Sequence, residues 1–246
     1  MKIGNKILIF LLLVVCQNGH AQNFINLGFE SASLVPAGGF YVQFNQAFPG
    51  WIGTVGGVQQ TLALTNNFYL DTSGISIIDR NYNNDGIIPG GLIQGRYTAL
   101  LQAGLSGPPA DTSLSQTGIV PANAQSLQFE AFQATDGSTA ISPFAVTLGG
   151  QTLSLIPLSY DSNYTLYGAD ISSWAGKTAQ LSFTMFAENP HVDDQYLYLD
   201  AIQFSTQPVP EPSGLALIAA GGLMFGFRRS LRDYTTKPPR FPRAAL

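Results

Sequence analysis

The chain has 246 residues, of which 45% are apolar and only 11% are charged, with 26 glycines and 15 prolines. Since an average soluble protein has about 25% charged residues, this composition excludes coiled coils and helical repeats and favours strands joined by turns. The length suffices for one sizeable domain with flanking targeting segments.

The net charge of −4 is unevenly distributed. Residues 22–207 hold three basic residues, Arg80, Arg96 and Lys177, against thirteen acidic ones. A protein that binds nucleic acid through its phosphates needs clustered lysines and arginines. The sequence therefore predicts that nucleic acid is not a partner.

Cysteine and histidine are scarce. The single cysteine, Cys16, and one of the two histidines, His20, precede residue 22, which leaves His191. Residues 22–207 therefore have no disulfide, no thiol nucleophile and no zinc site with several Cys or His ligands. A Ser-His-Asp hydrolase would depend on His191.

Residues 1–21 predict a secretory signal peptide. They combine two early lysines, an apolar run at residues 7–15 and small residues at Gly19 and Ala21, so we expect cleavage after Ala21. The alternative is a lipoprotein modified at Cys16, although the residue before this cysteine is larger than such a signal requires.

Apolar and polar residues alternate with a period of two between residues 24 and 205. The predicted strands are Phe24–Phe29, Tyr97–Ala103, Gln125–Ala134, Phe144–Leu148, Gln151–Ile156, Asn163–Tyr167, Thr178–Phe186 and Gln195–Phe204. About ten short strands separated by turn residues predict an all-β domain over residues 22–207. We expect a two-sheet antiparallel jelly-roll β-sandwich, flanked by the signal peptide and a single C-terminal apolar helix.

One helical turn interrupts the strands at Asp170–Gly176. Asp170 suits the N-cap, Ile171 and Trp174 share one face, and Gly176 suits a left-handed C-terminal position. We expect this turn to pack Trp174 onto the sandwich, and the stability of the domain to depend on that contact.

Three short motifs bracket the domain. They are Asn26–Glu30 followed by Phe48–Trp51, Asp170–Gly176 leading into Leu181–Phe183, and Tyr198–Ile202. With them the chain resembles the galactose-binding-like jelly rolls, which include many carbohydrate-binding modules. In calcium-bearing members of that class, a carboxylate of the first motif and one of the last strand share a structural ion with backbone carbonyls. The resemblance implies Ca²⁺ as cofactor, with Glu30 and Asp200 as its ligands; Ala201 stands where many members have a second Asp. The alternative is that Glu30 and Asp200 are surface carboxylates without an ion.

Two other features are open to two interpretations. Asp79–Gly86 offers oxygen ligands but misses the spacing of an EF-hand, so turn formation is the favoured interpretation and a calcium site the alternative. Trp51 and Tyr69 are candidates for exposed sugar-binding platforms, with core packing as the favoured alternative.

The C-terminal region has three elements in a fixed order. The first is a Pro-rich linker, residues 208–212, which contains Pro210, Glu211 and Pro212. The second is an uncharged apolar stretch that is followed directly by Arg228 and Arg229, and the third is a basic tail, residues 230–246. A helix of the apolar stretch would span about 22 Å, short of the roughly 30 Å hydrocarbon core. The arginines would remain cytoplasmic, which places residues 22–207 outside.

This order resembles the PEP-CTERM sorting signal of bacterial exosortase substrates. The resemblance implies that an exosortase-type enzyme is a partner and that residues 213–229 hold the precursor in the inner membrane. It also implies that the mature protein reaches the cell surface or extracellular matrix. The chain departs from the pattern in its tail, residues 230–246, which we expect to be disordered.

The sequence thus predicts an exported, non-enzymatic surface or matrix protein that binds exopolysaccharide. One alternative is a secreted glycoside-acting enzyme, which needs two carboxylates roughly 5 to 10 Å apart. The other is a purely structural matrix component without a ligand.

Overall fold

The computed structural model describes residues 22–68, 72–83, 90–104, 109–137, 141–187 and 193–210. The predicted signal peptide, Tyr69, His191 and the sorting signal from Glu211 onward, with Pro212, Arg228 and Arg229, lie outside the described residues. The chain divides into two units, Met1–Pro208 and Val209–Leu246. All strands and helices given below belong to the first unit.

The described residues form fifteen strands, one short helix and one 3₁₀ turn. The strands are β1 (Pro36–Gly38), β2 (Tyr41–Gln43), β3 (Ile52–Val55), β4 (Val58–Gln59), β5 (Leu62–Thr65), β6 (Gly74–Ile78), β7 (Thr98–Ala103), β8 (Thr112–Ile119), β9 (Ser126–Thr135), β10 (Phe144–Leu148), β11 (Gln151–Thr152), β12 (Ile156–Tyr160), β13 (Thr165–Asp170), β14 (Thr178–Met185) and β15 (Gln195–Ser205). The helix α1 covers Phe44–Ala47, and the 3₁₀ turn covers Ser172–Trp174. Among these described residues, no helix has the length and apolar character needed to cross a membrane.

The strands form two sheets. The larger sheet has nine strands in the order β1-β2-β5-β6-β7-β15-β9-β13-β12, and the smaller has six in the order β11-β10-β14-β8-β3-β4. The pairing of β5 with β6 is parallel, whereas the other strand pairs are antiparallel. The two sheets pack as a β-sandwich, which confirms the predicted fold class.

The core lies between the inner faces of the sheets. In β14, residues Ala179, Leu181, Phe183 and Met185 are buried at every second position, as the period of two predicts. Phe183 packs edge-on against Phe129 of the opposite sheet, with ring centroids 5.1 Å apart. The alternation seen in the sequence therefore identifies the inner face.

Trp51 belongs to this core. Its side chain is 4% exposed, its ring centroid lies 6.3 Å from that of Phe183, and its indole N–H donates to the carbonyl of Asn26 at 3.1 Å. Core packing is thus confirmed for Trp51, and the interpretation as an exposed sugar platform is wrong for this residue.

The outer face of the larger sheet is also covered at its centre. All six residues of β7 are buried, and in β15 Tyr196 and Tyr198 point away from the core that contains Leu197 and Leu199. A second apolar cluster forms on this outer face; its members are Ile78, Ile93, Leu100, Ala134, Tyr196 and Tyr198, with Phe68, Tyr82, Phe132 and Tyr164 packed around them. The connections that precede β7 supply several of these residues and shield the sheet from water.

The predicted first strand, Phe24–Phe29, is wrong. The chain makes only an isolated bridge between Asn23 and Ile119 and then turns, because Asn26 and Phe29 take left-handed φ angles of 51° and 58°. The start and end of the domain still lie together, as expected. Ile202 N donates to Leu27 O at 3.1 Å, and the rings of Phe24 and Phe204 lie 4.9 Å apart.

The predicted helical turn forms, with a different buried residue. Asp170 Oδ1 accepts a hydrogen bond from Ser172 N at 2.8 Å, and Gly176 has a φ of +75°, as its position predicts. Ile171 is fully buried, whereas Trp174 is only half-buried against the edge of the core. The expectation that stability depends on a buried Trp174 is corrected accordingly, since Ile171 is the more deeply buried anchor.

Candidate functional site

Glu30 and Asp200, the carboxylate pair, converge on one backbone turn. Arg96 N donates to Glu30 Oε1 at 2.8 Å, and Gln94 N donates to Asp200 Oδ2 at 3.4 Å. Gly95 links these two donors with a left-handed φ of +62°. The two predicted calcium ligands are therefore brought to the same place by the segment that leads into β7.

Asp200 lies on the outer face of β15 and is 1% exposed. Its Oδ2 accepts a hydrogen bond from the hydroxyl of Thr98 at 2.7 Å, and its Oδ1 accepts one from the backbone N–H of Ala201 at 2.7 Å. Burial raises the pKa of Asp200 to about 7; the hydrogen bonds from Thr98, Ala201 and Gln94 oppose this rise, and the charge of Glu30 adds to it. Asp200 is thus a buried carboxylate whose ionisation is costly without a nearby cation.

The local backbone explains why Asp200 can reach this position. The pairing of β15 with β9 shifts register between Asp200 and Gln203, and Ala201 takes a φ of 50°. Such a bulge bends the strand and redirects neighbouring side chains. Gly28 completes the arrangement, since a Cβ there would lie 3.9 Å from Asp200 Oδ1 and 4.0 Å from Glu30 Cγ.

The donor set of the carboxylate pair fits a hard cation. Calcium takes six to eight oxygen ligands from carboxylates, carbonyls and water. No group of three or more His, Cys, Asp or Glu residues with metal-binding geometry is found within the described residues. If a calcium ion bound here, Glu30 and Asp200 would supply two of its ligands, and the other ligands would have to be backbone carbonyls and water.

A cavity of about 350 Å³ lies beside the carboxylate pair. It is lined by Asp79, Arg80, Asn81, Leu92, Gly95, Arg96 and Tyr97. The guanidinium of Arg96 lies 5.3 Å from the centre of the Tyr97 ring, and its Nη2 donates to the Tyr97 hydroxyl at 3.4 Å. Because Gly95 and Arg96 belong to the turn that the carboxylate pair holds, the pair shapes one side of this cavity.

The acidic stretch at Asp79 forms a turn. Asp79 Oδ1 accepts hydrogen bonds from Asn66 Nδ2 at 2.8 Å and from Asn81 N at 2.7 Å, and Tyr82 N donates to Asp79 O. These contacts are those of an Asx turn, the favoured interpretation of this segment. Asp85, later in the same stretch, lies outside the described residues.

Sequence reasoning missed the residues that join the two halves of the site. No sequence motif includes Thr98, Gly95 or Arg96. Their role follows from contacts with Glu30 and Asp200, which are distant in the sequence. One signal was present, because the domain has only three basic residues. Two of these, Arg80 and Arg96, line the same cavity.

Comparison with known proteins finds no matching family model and no matching curated protein. A solved structure that matches is the crystal structure of the enzymatically active domain of tailspike protein 4 from bacteriophage CBA120, at 10% identity and a TM-score of 0.35. The match covers 64% of this chain and 19% of the tailspike chain, so it spans less than a fifth of that protein.

The matching domain is described as enzymatically active, which contradicts the prediction that this protein is not an enzyme. The non-enzymatic assignment is therefore dropped. A likeness at this TM-score assigns no reaction, substrate or site to the chain.

Proposed function

We propose that the chain is an exported protein whose β-sandwich domain binds polysaccharide at the cell surface or in the extracellular matrix. The observation that carries this proposal is the cavity beside the carboxylate pair. Its volume of about 350 Å³ falls in the range of roughly 300 to 1,000 Å³ that small-ligand sites occupy.

The lining of the cavity suits a sugar. A sugar ring has hydroxyl groups around its edge and C–H groups on its faces, so a binding site needs hydrogen-bond donors, acceptors and apolar surface together. Arg80 and Arg96 supply donors, Asp79 and Asn81 supply acceptors, and Leu92 adds apolar surface. This combination supports carbohydrate as the ligand class.

Calcium has a structural role in this proposal. An ion held by Glu30 and Asp200 would offset the cost of two converging negative charges and would fix the turn at Gly95. The turn supplies one side of the cavity. Calcium would thereby stabilise the domain and keep the cavity in shape without contacting the sugar.

Export and sorting are supported by the two ends of the sequence. The predicted signal peptide directs the chain out of the cytoplasm, and the elements from Pro210 to Arg229 resemble an exosortase substrate. In the native host we expect the surface-exposed protein to lack the tail beyond Arg229, because processing removes it. Mass spectrometry of that form would contradict the sorting proposal if it detected peptides extending to Leu246.

Polysaccharide binding is tested with the full chain. It is applied to an array of bacterial and plant polysaccharides in the presence of calcium, and the bound glycans are then measured in solution by titration calorimetry. The proposal predicts saturable binding that weakens when Asn81→Ala removes an acceptor from the cavity. Binding to none of the glycans would overturn the proposed function.

A second candidate function, action on a glycosidic bond, is favoured by one observation on the outer face of the larger sheet. Burial raises the pKa of Glu130, the hydroxyl of Tyr164 partly offsets this, and the charge of Asp161 adds to it. Glu130 Oε2 is buried and has no hydrogen-bond partner within the described residues. A carboxyl group with a raised pKa near a second carboxylate is the arrangement that a general acid requires.

The same glycans distinguish the two candidates. Release of reducing ends by the full chain, abolished in Glu130→Gln and retained in Asp170→Asn, would establish a glycoside-acting enzyme. Binding without product release would leave the polysaccharide-binding function as the better description.

A further inference from the structure

The positive charges of the domain are concentrated in one place. Residues 22–207 hold thirteen acidic residues and only three basic ones. Arg80 and Arg96 both line the cavity beside the carboxylate pair, whereas Lys177 lies elsewhere, with its Nζ 5.8 Å from the centre of the Trp174 ring. In a domain this acidic, such a concentration marks the cavity as the surface that accepts a negative charge.

Among the residues that the structure describes, no carboxylate neutralises the guanidinium group of Arg80 or of Arg96. Arg96 is oriented by the ring and hydroxyl of Tyr97, and its backbone N–H is tied to Glu30. The guanidinium of Arg96 is thus positioned by its neighbours without being neutralised by them.

The acidic group in the lining is already engaged. Asp79 Oδ1 accepts hydrogen bonds from the side chain of Asn66 and from the backbone of Asn81. These hydrogen bonds partly satisfy the negative charge of the Asp79 carboxylate and so weaken its attraction for the neighbouring arginine. A ligand carboxylate that enters the cavity therefore meets two arginines, whose planar forks pair with a carboxylate through two parallel hydrogen bonds.

We propose that the cavity recognises the carboxylate of a uronic acid residue, so that the domain selects acidic over neutral polysaccharides. This inference rests on the proposed function, polysaccharide binding, and specifies its ligand class. Elsewhere the excess of acidic residues repels a polyanion, so binding depends on placing a sugar carboxylate at Arg80 and Arg96. The neutral groups of the lining, including Asn81, would contact the hydroxyls of the same sugar.

The test compares two forms of one polymer. Calorimetry with the full chain, at one calcium concentration, measures binding of polygalacturonate and of its fully methyl-esterified form, which lacks the charge. We expect the ester to bind at least about tenfold more weakly, the change that corresponds to loss of one charge-assisted pair. Arg80→Gln and Arg96→Gln should each weaken binding of the acid form by a similar factor, and should weaken binding of the ester less, since the ester loses only a neutral hydrogen bond.

Lys177→Gln is the matched control, because it removes the same charge from outside the cavity. It should leave both affinities unchanged. Arg96→Lys keeps the charge but loses the fork, so it should bind the acid form with an intermediate affinity. Melting temperatures of all variants should match that of the parent, since both arginines are exposed.

Several results would overturn this inference. Equal affinity for the two polymers would refute uronic acid selection while leaving polysaccharide binding intact. A loss in Lys177→Gln as large as that in Arg96→Gln would show that net charge, and not the cavity, controls binding. Dextran sulfate that bound as tightly as polygalacturonate, and through the same arginines, would show that the cavity recognises anions in general and is not selective for a carboxylate. Binding to no polysaccharide would refute the proposed function together with the inference.

Discussion

Glu30 and Asp200 hold the two ends of a single turn, since Glu30 accepts the N–H of Arg96 at 2.8 Å and Asp200 accepts the N–H of Gln94 at 3.4 Å. The turn lines the cavity through Gly95 and Arg96. The carboxylate pair and the cavity therefore share one backbone turn.

Calcium should raise the stability of the domain. An ion that binds only the folded state stabilises it by about 2.7 kcal/mol at a free concentration 100 times its dissociation constant. We expect the full chain to melt at a higher temperature in millimolar calcium than in EDTA, and Glu30→Gln and Asp200→Asn each to reduce this difference. Asp161→Asn, in an exposed loop, is the control. A melting temperature that is the same with calcium and with EDTA would refute the site.

Without calcium, stability should fall as pH rises. The pKa of Asp200 in the folded protein, about 7, exceeds that of an unfolded aspartate, about 4. The folded state therefore holds the proton more tightly, and this contribution is complete below about pH 4 and is lost as the pH rises through about 7. In EDTA, the melting temperature should decline over this window in the parent and less steeply in Asp200→Asn.

Calcium should reverse this dependence. The ion binds the ionised carboxylate, so its affinity should increase as the pH rises toward and past 7. Titration calorimetry at several pH values measures this change. An affinity independent of pH between about 5 and 8 would show that Asp200 is not a ligand.

Replacement of Gly95 should damage the site specifically. Gly95 has a φ of +62°, and a Cβ added to it would overlap Glu30 Oε1. Gly57 has a φ of +79° with no atom within 4 Å of such a Cβ, so it is a matched control for backbone strain. We expect both alanine variants to lose about 1 to 2 kcal/mol from left-handed strain. Only Gly95→Ala should also weaken calcium binding; equal effects of the two variants on calcium would contradict this.

The two tryptophans should differ in their contribution to stability. Truncation of a buried aromatic side chain typically costs about 3 to 5 kcal/mol. Trp51 is 4% exposed within the core, so Trp51→Ala should reach this range. Trp174 is half-buried at the core edge, so Trp174→Ala should cost less than half as much. Urea unfolding measures both values. Equal losses would show that the 3₁₀ turn packs more tightly on the core than the half-buried position of Trp174 indicates.

The sequence by itself determined the features that depend on local pattern. Alternation along Thr178–Phe186 and Phe144–Leu148 predicted strands and their buried faces, because side chains of a strand point to opposite sides at every step. Gly176 was predicted to be left-handed because only glycine adopts that conformation at little cost. The predominance of strands followed from these local preferences, as did the sandwich class.

Only the tertiary structure decided the features that depend on distant neighbours. The period of two cannot show that the outer face of β15 is covered, because the covering residues, such as Phe68 and Ile93, come from remote connections. The predicted strand at Phe24–Phe29 failed because two residues in it adopt left-handed angles in the folded domain. Glu30 and Asp200 were named by resemblance, but their shared turn, the burial that raises the pKa of Asp200, and the cavity with two arginines exist only once the chain is folded. Burial and charge interactions depend on which residues are close in space, and the spacing of residues along the chain does not predict this.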